Sequence, residues 1–263
     1  MTDKAIESLA DFVVWSRKCS KKFGLRRATL EVCFRGQSLA DWTLKPGLYR
    51  GFVPPELERE LIRDFKTHAS EFLSNDQRSD VDWLFLAQHH GVPTRLLDWT
   101  LNPLVALYFA CEDHTRQENG KVFALNAWEL NKTSCDMQAV PATDSEVFQD
   151  YVLPLNDKEV RRTVRAQQPL AVRPNYLFRR SNAQAGSFTI HGSKTQALEK
   201  TQFVRKNHQA CMAQIEIKGE KKLNLLRELY SFGVHRQSLF QSIDSVGDRV
   251  KFRYSNDYFD KHR

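Results

Sequence analysis

Residues 88–100, with the sequence QHHGVPTRLLDWT, predict three structural events in direct succession. A helix that begins at Ser79 ends near Gly91, because glycine accepts the left-handed backbone conformation at which many helices stop. The proline that follows turns the chain into a strand. That strand places Arg95 and Asp98 among leucines, and such charged residues are rarely buried without partners. Two interpretations stay open: the charges pair with each other or with the main chain, or they line a functional site.

The strand leads directly into a second helix. Asn102 and Pro103 are typical of a helix cap and a first helical residue. Residues 98–100 therefore lie next to a helix N-terminus, where unpaired N–H groups favour an anion or a phosphate. Trp99 either offers a stacking face for a flat ring or packs in the core, and the sequence does not separate these alternatives.

Metal chemistry is not predicted. His89 and His90 are neighbours on a helix, so they point in different directions, and no further ligand is spaced to help them. The five cysteines are scattered and odd in number, without the close spacing of a zinc knuckle or a redox motif. We therefore expect reduced thiols and no metal.

Upstream, residues 29–35 alternate with the period of a strand. Leu30, Val32 and Phe34 fall on one face and Glu31, Cys33 and Arg35 on the other, polar face. Gly36 is predicted to stop this strand.

The remaining pattern predicts one α+β domain with a mixed or antiparallel central sheet and several packed helices. We expect the domain to fill residues 1–263, with an N-terminal helix and basic connector at 1–28, a core at 29–245 and a C-terminal extension at 246–263. The predicted helices are an amphipathic one carrying Ile6, Leu9, Phe12 and Val13, one with the stripe Leu57, Leu61, Phe65, Ala69 and Phe72, and one over 220–232 that ends at Gly233. Further strands are predicted over 122–125, over 187–191 with Phe188 and Ile190 inward, and over 211–217.

The composition favours a cytoplasmic protein that is attracted to polyanions. Hydrophobic residues make up 41% of the chain, which is enough for a core, yet no stretch has the ~20 apolar residues of a membrane span. The charged first twenty residues do not resemble a secretory signal. A net charge of +7 comes with basic clusters near 17–27 and 161–180. These clusters are either solvated faces or a groove for nucleic-acid phosphates.

Three blocks of the sequence resemble the FRG-domain family, which is named after its first tripeptide. The first block is Phe34-Arg35-Gly36, and the second is residues 88–100 with the helix that follows as far as Ala110. The third contains Arg180, Gln184, Gly186, Phe188 and residues 189–191. The resemblance spans residues 32–245.

A more distant resemblance connects the chain with mono-ADP-ribosyltransferases. In that family an aromatic-Arg-Gly on the first core strand anchors the phosphate and ribose region of NAD, and Phe34-Arg35-Gly36 is similar to it. A hydroxyl-bearing strand leads into a helix, and residues 98–110 are similar to this element, with Thr100 in the hydroxyl role. The third element carries a catalytic glutamate, whereas this chain has Gln184 there; Glu216 is a substitute that we expect to face solvent.

This resemblance implies a site for NAD as co-substrate. Arg35 would anchor the diphosphate, Trp99 or Phe34 would stack on the nicotinamide, and Asp98, Gln184 or His191 would lie near the ribose. The implied catalytic residues are Arg35, Asp98, Thr100 and Gln184. The implied NAD-binding residues are Phe34, Arg35, Gly36, Gln88, His89, Thr94, Arg95, Trp99 and His191.

Three functions follow as hypotheses. The first is an ADP-ribosyltransferase that modifies nucleic acid, with RNA preferred as acceptor, acting as a bacterial toxin or anti-phage effector with an antitoxin or chaperone as a further partner. The second is a non-catalytic module that binds a nucleotide or nucleic acid. The third is a metal-independent ribonuclease that uses His89, His90 or His191 as general acid and base.

Overall fold

A six-stranded antiparallel sheet organises the described part of the computed structural model, which covers residues 6–23, 32–73, 78–152, 167–173 and 185–255. The strands are β1 (Val32–Gln37), β2 (Leu96–Thr100), β3 (Gly120–Asn126), β4 (Leu170–Val172), β5 (Gly186–Ile190) and β6 (Met212–Ile217). Their order across the sheet is β4-β5-β2-β1-β3-β6. The predicted α+β class with an antiparallel central sheet is therefore confirmed.

Helices cover both faces of this sheet. They are α1 (Leu9–Lys22), α2 (Glu58–Ala69), α3 (Asp80–His89), α4 (Pro103–Cys111), α5 (Ala127–Cys135), α6 (Glu146–Val152), α7 (Gln202–Lys206), α8 (His208–Cys211), α9 (Lys222–Ser231), α10 (Arg236–Phe240) and α11 (Ile243–Tyr254). None of the described helices is both long and apolar enough to cross a bilayer.

The sheet consists of two well-paired halves that meet at a narrow seam. Strand β1 pairs with β3 along its whole length, from Val32 to Gln37, and β2 pairs with β5 along its whole length. Between β1 and β2, however, the register contains a single pair, Phe34 opposite Thr100. The two central strands therefore separate on the side of Arg35 and Asp98, and this separation leaves room for a cleft inside the sheet.

Alternation along β1 assigns its residues to two different cores. Val32 and Phe34 pack into a core with α1, α4 and α9, while Cys33 packs on the opposite face with Leu97 and Trp99. The expectation that Cys33 belongs to a polar face is therefore wrong, because residues 38–50 and 198–212 pack against that face at Cys33. Residues 29–31 lie outside the described ranges.

Gly36 continues strand β1 instead of stopping it, which corrects the predicted boundary. A Cβ atom at this position would lie 1.8 Å from the carbonyl oxygen of Ala106 and 2.7 Å from the nitrogen of Ala110. Both atoms belong to the main chain of α4, so they cannot move aside independently. The absence of a side chain at Gly36 is what allows α4 to lie directly on β1.

We expect Gly36→Ala to lower the free energy of unfolding by about 3 kcal/mol, because overpacking a tight contact costs roughly 1–3 kcal/mol and here the obstacle is main chain. The matched control is Gly247→Ala in α11, where an added Cβ meets no atom within 4 Å. That change should stabilise by about 1 kcal/mol, since alanine is the better helix former. Urea denaturation of both variants checks the prediction, which fails if the two shifts have the same sign.

The predicted helix signals are confirmed at several ends. Ser79 and Asp82 form the reciprocal capping box of α3, and Asn102 caps α4 with Pro103 at its first position. Gly91 and Gly233 adopt φ values of 82° and 79°, so both stop helices in the left-handed conformation.

The stripe predicted along α2 is only partly correct. Leu61, Phe65 and Ala69 are half-buried, but Leu57 and Phe72 are 45% and 81% exposed. These two residues lie beyond the ends of the α-helix, in the adjoining 3-10 turns, where helical periodicity no longer determines which way a side chain faces.

Candidate functional site

A cavity of about 260 Å³ opens at the seam between β1 and β2. It is lined by Phe34, Arg35, Gly36, Phe85, Gln88, His89, Asp98, Trp99, Thr100, Val105, Phe109, Gly186 and Phe188. The polar groups come from the two separating strands and the end of α3, while α3 and α4 supply half of the large apolar lining residues and the strands supply the other half. Small-molecule sites typically measure ~300–1,000 Å³, so this cavity suits a nucleoside-sized group better than a whole dinucleotide.

Arg35 is the central cation of this cavity. Its Nη1 donates a hydrogen bond of 2.7 Å to the main-chain oxygen of Asp98, across the seam. Its Nε is buried, with no hydrogen-bond partner among the described residues. Burial lowers the pKa of Arg35 to about 10; the Asp98 carboxylate opposes this shift and the Arg50 cation adds to it. A buried donor without a partner costs about 1–3 kcal/mol, so an anion that accepts from Arg35 would be stabilised.

Asp98 is held in place by two residues that the sequence also singled out. Gln88 Nε2 donates to Asp98 Oδ2 at 2.8 Å, and the Thr94 hydroxyl donates to Gln88 Oε1 at 2.6 Å. This chain fixes the orientation of the Gln88 amide and, through it, the carboxylate. Thr94 itself does not line the cavity; it positions the residue that does. Asp98 is the one carboxylate among the described lining residues.

Thr100 and Trp99 differ in which side of the sheet they serve. Thr100 lies on the cavity wall, and its Oγ1 accepts a hydrogen bond from the Asn102 N–H at 3.0 Å, which fixes the entry into α4. Trp99 contributes to the wall, but its ring packs in the core with Leu97, on the opposite face from Asp98. Its indole N–H donates to Thr189 Oγ1 at 3.1 Å. Of the two interpretations of Trp99, the packing of its ring supports the core residue.

Part of the apolar wall comes from residues that the sequence did not single out as functional. Phe85, Val105 and Phe109 face the cavity, and Phe85 meets Phe188 edge to face with a centroid distance of 4.8 Å. The only sequence signal is that α3 and α4 are apolar around most of their circumference. Such a pattern predicts a fully buried helix, and it does not distinguish side chains that pack in a core from side chains that line a cavity.

The three histidines do not meet in the cavity, although the rings of His89 and His90 lie edge to face with a centroid distance of 5.0 Å. His89 lines the cavity, whereas His90 is exposed and lies near Phe65, with a centroid distance of 6.1 Å. His191 is 1% exposed and lies outside the cavity lining, with Nε2 3.1 Å from Thr189 Oγ1. Burial, with a smaller effect from the Arg35 cation, lowers the pKa of His191 to about 3.

This pKa gives a prediction for stability. His191 is neutral in the folded state but titrates near 6.5 when unfolded, so acid favours the unfolded chain. The stabilising effect of neutral burial is complete above pH 6.5 and declines as the pH falls towards 3. At pH 5 we expect about 2 kcal/mol less stability from this group than at pH 8. In urea titrations, His191→Gln should depend less on pH than the parent between pH 7 and 5; equal slopes would contradict this assignment.

Arg95 lies away from the cavity, which corrects its predicted place in the site. Its guanidinium forms a buried ion pair with Glu58, and its Nη1 donates to the main-chain oxygen of Tyr151 at 2.9 Å. Of the pairings considered from sequence alone, the one with Asp98 is wrong and the one with the main chain is confirmed at Tyr151, while the ion pair with Glu58 was not predicted. Arg95 joins α2 to α6 and to the start of β2.

The two candidates for the glutamate position have different outcomes. Gln184 lies outside the described residues, although its neighbour Ala185 is described and accepts a hydrogen bond from the Leu101 N–H at 2.8 Å. Glu216 is exposed on the edge strand β6, 3.6 Å from Lys121 Nζ. The expectation that Glu216 faces solvent is confirmed. Within the described residues, no group of three or more His, Cys, Asp or Glu side chains is arranged to hold a metal ion.

A comparison with protein-family models matches residues 30–119 to the FRG domain. The matched segment contains β1, α3, β2 and α4, and thus all the described cavity residues except Gly186 and Phe188. No curated protein and no solved structure matched the chain in the corresponding searches. Residues 30–119 of the chain are therefore similar to the FRG domain.

Proposed function

We propose that this protein is an ADP-ribosyltransferase that uses NAD and modifies nucleic acid, with RNA as the acceptor. The observation that carries the proposal is that one cavity is lined by both the incompletely bonded Arg35 guanidinium and the Asp98 carboxylate that Gln88 holds in place. A cation for a phosphate and an anion near the ribose are the two charges that cleavage of the nicotinamide–ribose bond requires.

The proposed reaction exchanges one bond at the ribose. The acceptor nitrogen or oxygen forms a bond to C1′ of the nicotinamide ribose while the bond from C1′ to the nicotinamide nitrogen breaks. The electron pair of that bond leaves with neutral nicotinamide, and the acceptor's proton passes to the Asp98 carboxylate or to water. Positive charge develops on the ribose during this step, and Asp98 is the described group of opposite charge in the cavity.

The cavity dimensions agree with binding of one end of NAD. At about 260 Å³ it accommodates the nicotinamide riboside end against the wall of Phe85 and Phe188. In this arrangement the diphosphate accepts hydrogen bonds from Arg35, and the adenosine extends over the open surface. Gln88 and Thr94 keep the carboxylate aligned without touching the diphosphate.

The experiment that tests the proposal is transfer of label from NAD carrying a radioactive phosphate next to the adenosine. Purified protein is incubated with RNA, DNA or lysate protein, and free nicotinamide is measured in parallel. We expect label in RNA, and we expect Asp98→Asn to reduce it by about 100-fold or more, because electrostatic groups at the reacting centre contribute roughly 10²–10³ in rate. Label in protein alone would show that the acceptor is protein and not RNA. The absence of both label and nicotinamide release would reject the transferase.

A nucleotide-binding module without catalysis is the second candidate, because no glutamate lines the described part of the cavity. It predicts that NAD raises the melting temperature while no nicotinamide appears. The ribonuclease hypothesis receives no support from the geometry, since His89 alone among the three candidate histidines lines the cavity. An effector role as a toxin or in anti-phage defence, controlled by an antitoxin, stays a proposal; growth arrest on expression, relieved by Asp98→Asn, would support it.

A further inference from the structure

A basic groove lies on the surface formed by the segment that precedes β6. It is lined by Gln196, Lys200, Gln202, Arg205 and Lys206, which supply three cations and two amides. All five side chains are exposed, and none of the three cations forms an ion pair within the described residues. Cations that are left without carboxylate partners attract a polyanion more strongly than paired ones do.

The acidic residue nearest in sequence is engaged elsewhere. Glu199 lies between groove residues in the chain, but its Oε2 accepts a hydrogen bond of 3.2 Å from the Leu44 N–H. The Leu198 N–H in turn donates to the Leu44 oxygen at 3.0 Å. These two bonds fasten the 38–50 segment next to the groove and hold the Glu199 carboxylate at the Leu44 main chain.

The fastened segment adds an exposed aromatic ring. Trp42 is 51% exposed, although tryptophan is usually well buried in soluble proteins. Since two residues span at most about 7 Å, Trp42 lies within about 20 Å of Lys200 through the Leu44 contact. A single strand of a few nucleotides spans such a distance, and exposed aromatic rings together with cations are what proteins use to stack the bases of single strands and hold their phosphates.

The same segment leads from the groove to the cavity. Arg50 Nε donates to the Lys45 oxygen at 3.1 Å, which places a further cation beside the segment. Arg50 is also close enough to Arg35 for their charges to repel. The Leu48 N–H donates to the Thr94 oxygen at 3.0 Å, so this segment is anchored next to the residue that positions Gln88.

We infer that the surface of Lys200, Arg205, Lys206 and Trp42 binds single-stranded RNA and leads it past Arg50 towards the cavity. The inference deepens the proposed function by naming the acceptor surface, and it rests on that proposal for the purpose of the binding. The groove is not one of the two basic clusters that the sequence indicated. Of those, the described part at α1 carries no exposed aromatic ring, since Trp15 and Phe23 are buried.

The test is fluorescence anisotropy of a labelled single-stranded RNA of about twelve nucleotides, a length within the usual range of ~4–16 for such surfaces. NAD is left out. The groove variant carries Lys200→Glu, Arg205→Glu and Lys206→Glu. The matched control carries Arg17→Glu, Lys18→Glu and Lys21→Glu on exposed positions of α1, with the same change in net charge. Circular dichroism confirms that each variant is folded before binding is measured.

We expect the groove variant to bind at least about tenfold more weakly. Its plot of log affinity against log salt should be shallower by about 2, because each phosphate contact of a single strand contributes ~0.7. Trp42→Ala should weaken binding by about fivefold or more, while the α1 control stays within about threefold of the parent. Equal losses in the groove and α1 variants, unchanged binding by Trp42→Ala, or a preference for duplex RNA would each overturn the inference.

Failure of this inference is distinguishable from failure of the proposed function. If the groove and Trp42 determine RNA affinity but no label is transferred from NAD, the surface is correct and the transferase is rejected. If label enters RNA while the groove variant binds RNA as tightly as the parent, the transferase is correct and the acceptor surface lies elsewhere.

Discussion

Replacing Arg35 with alanine is expected to abolish the NAD-dependent rise in melting temperature and to reduce label transfer by at least about 100-fold. Hydrogen bonds to charged groups contribute roughly 1.5–3 kcal/mol each, and two such bonds to a diphosphate correspond to about 100-fold or more. The variant itself should remain folded. The parent Arg35 has a buried Nε without a partner in the described structure, so its removal also relieves an unfavourable desolvation.

Two control variants sharpen this prediction. Arg35→Lys keeps the charge but loses the planar fork, so it should retain part of the NAD affinity and little of the transfer. Arg59→Ala removes an exposed arginine from α2 and should leave both readouts unchanged. If Arg35→Ala binds NAD as the parent does, the cavity does not hold the diphosphate through this residue, and the proposed site is wrong.

Local signals explain how much of the fold could be predicted. The caps at Ser79 and Asn102 and the stops at Gly91 and Gly233 depend on residues a few positions apart, and all four are in place. The proximity of Arg35 to the 88–100 stretch followed from the family resemblance. In the structure its physical basis is the pairing of Phe34 with Thr100.

The seam could not be predicted, because it depends on hydrogen bonds that are not made. Strand β1 has the alternation of a fully paired strand, and nothing in its sequence shows that one neighbour follows it for six residues and the other for one. Gly36 illustrates the same limit. A glycine after a strand pattern reads as a stop, yet its function here is decided by the main chain of α4, some seventy residues further along.

The side of the sheet on which a residue works also decided several outcomes. Asp98 and Trp99 are neighbours in a stretch of mixed residue types, but strand alternation places their side chains on opposite faces of the sheet. Asp98 reaches the cavity, where Gln88 holds it, and Trp99 enters a core. A high density of polar and aromatic residues in such a segment indicates a site, but it does not separate the residues that line the site from those that support it.

Arg95, in the same stretch, stabilises the fold through its buried ion pair with Glu58. We expect Glu58→Ala to lower the free energy of unfolding by about 3–5 kcal/mol, because it leaves the buried Arg95 guanidinium without its counter-charge. For a chain of this length, the melting temperature should fall by about 10 °C. The exposed Glu56→Ala, two residues earlier, should change stability by less than about 0.5 kcal/mol.

The pair rather than the single charge is what should matter. The double variant Glu58→Leu with Arg95→Met removes both charges, so most of the loss seen in Glu58→Ala should be recovered. If the free energy of unfolding of the double variant equals or exceeds that of the parent, the ion pair is retained for reasons other than net stability. Its label transfer per folded molecule then tests the assignment of Arg95 to the fold. Normal transfer agrees with a position outside the cavity, whereas loss of transfer in a stable, folded double variant would return Arg95 to the site, since no effect on stability would remain to explain it.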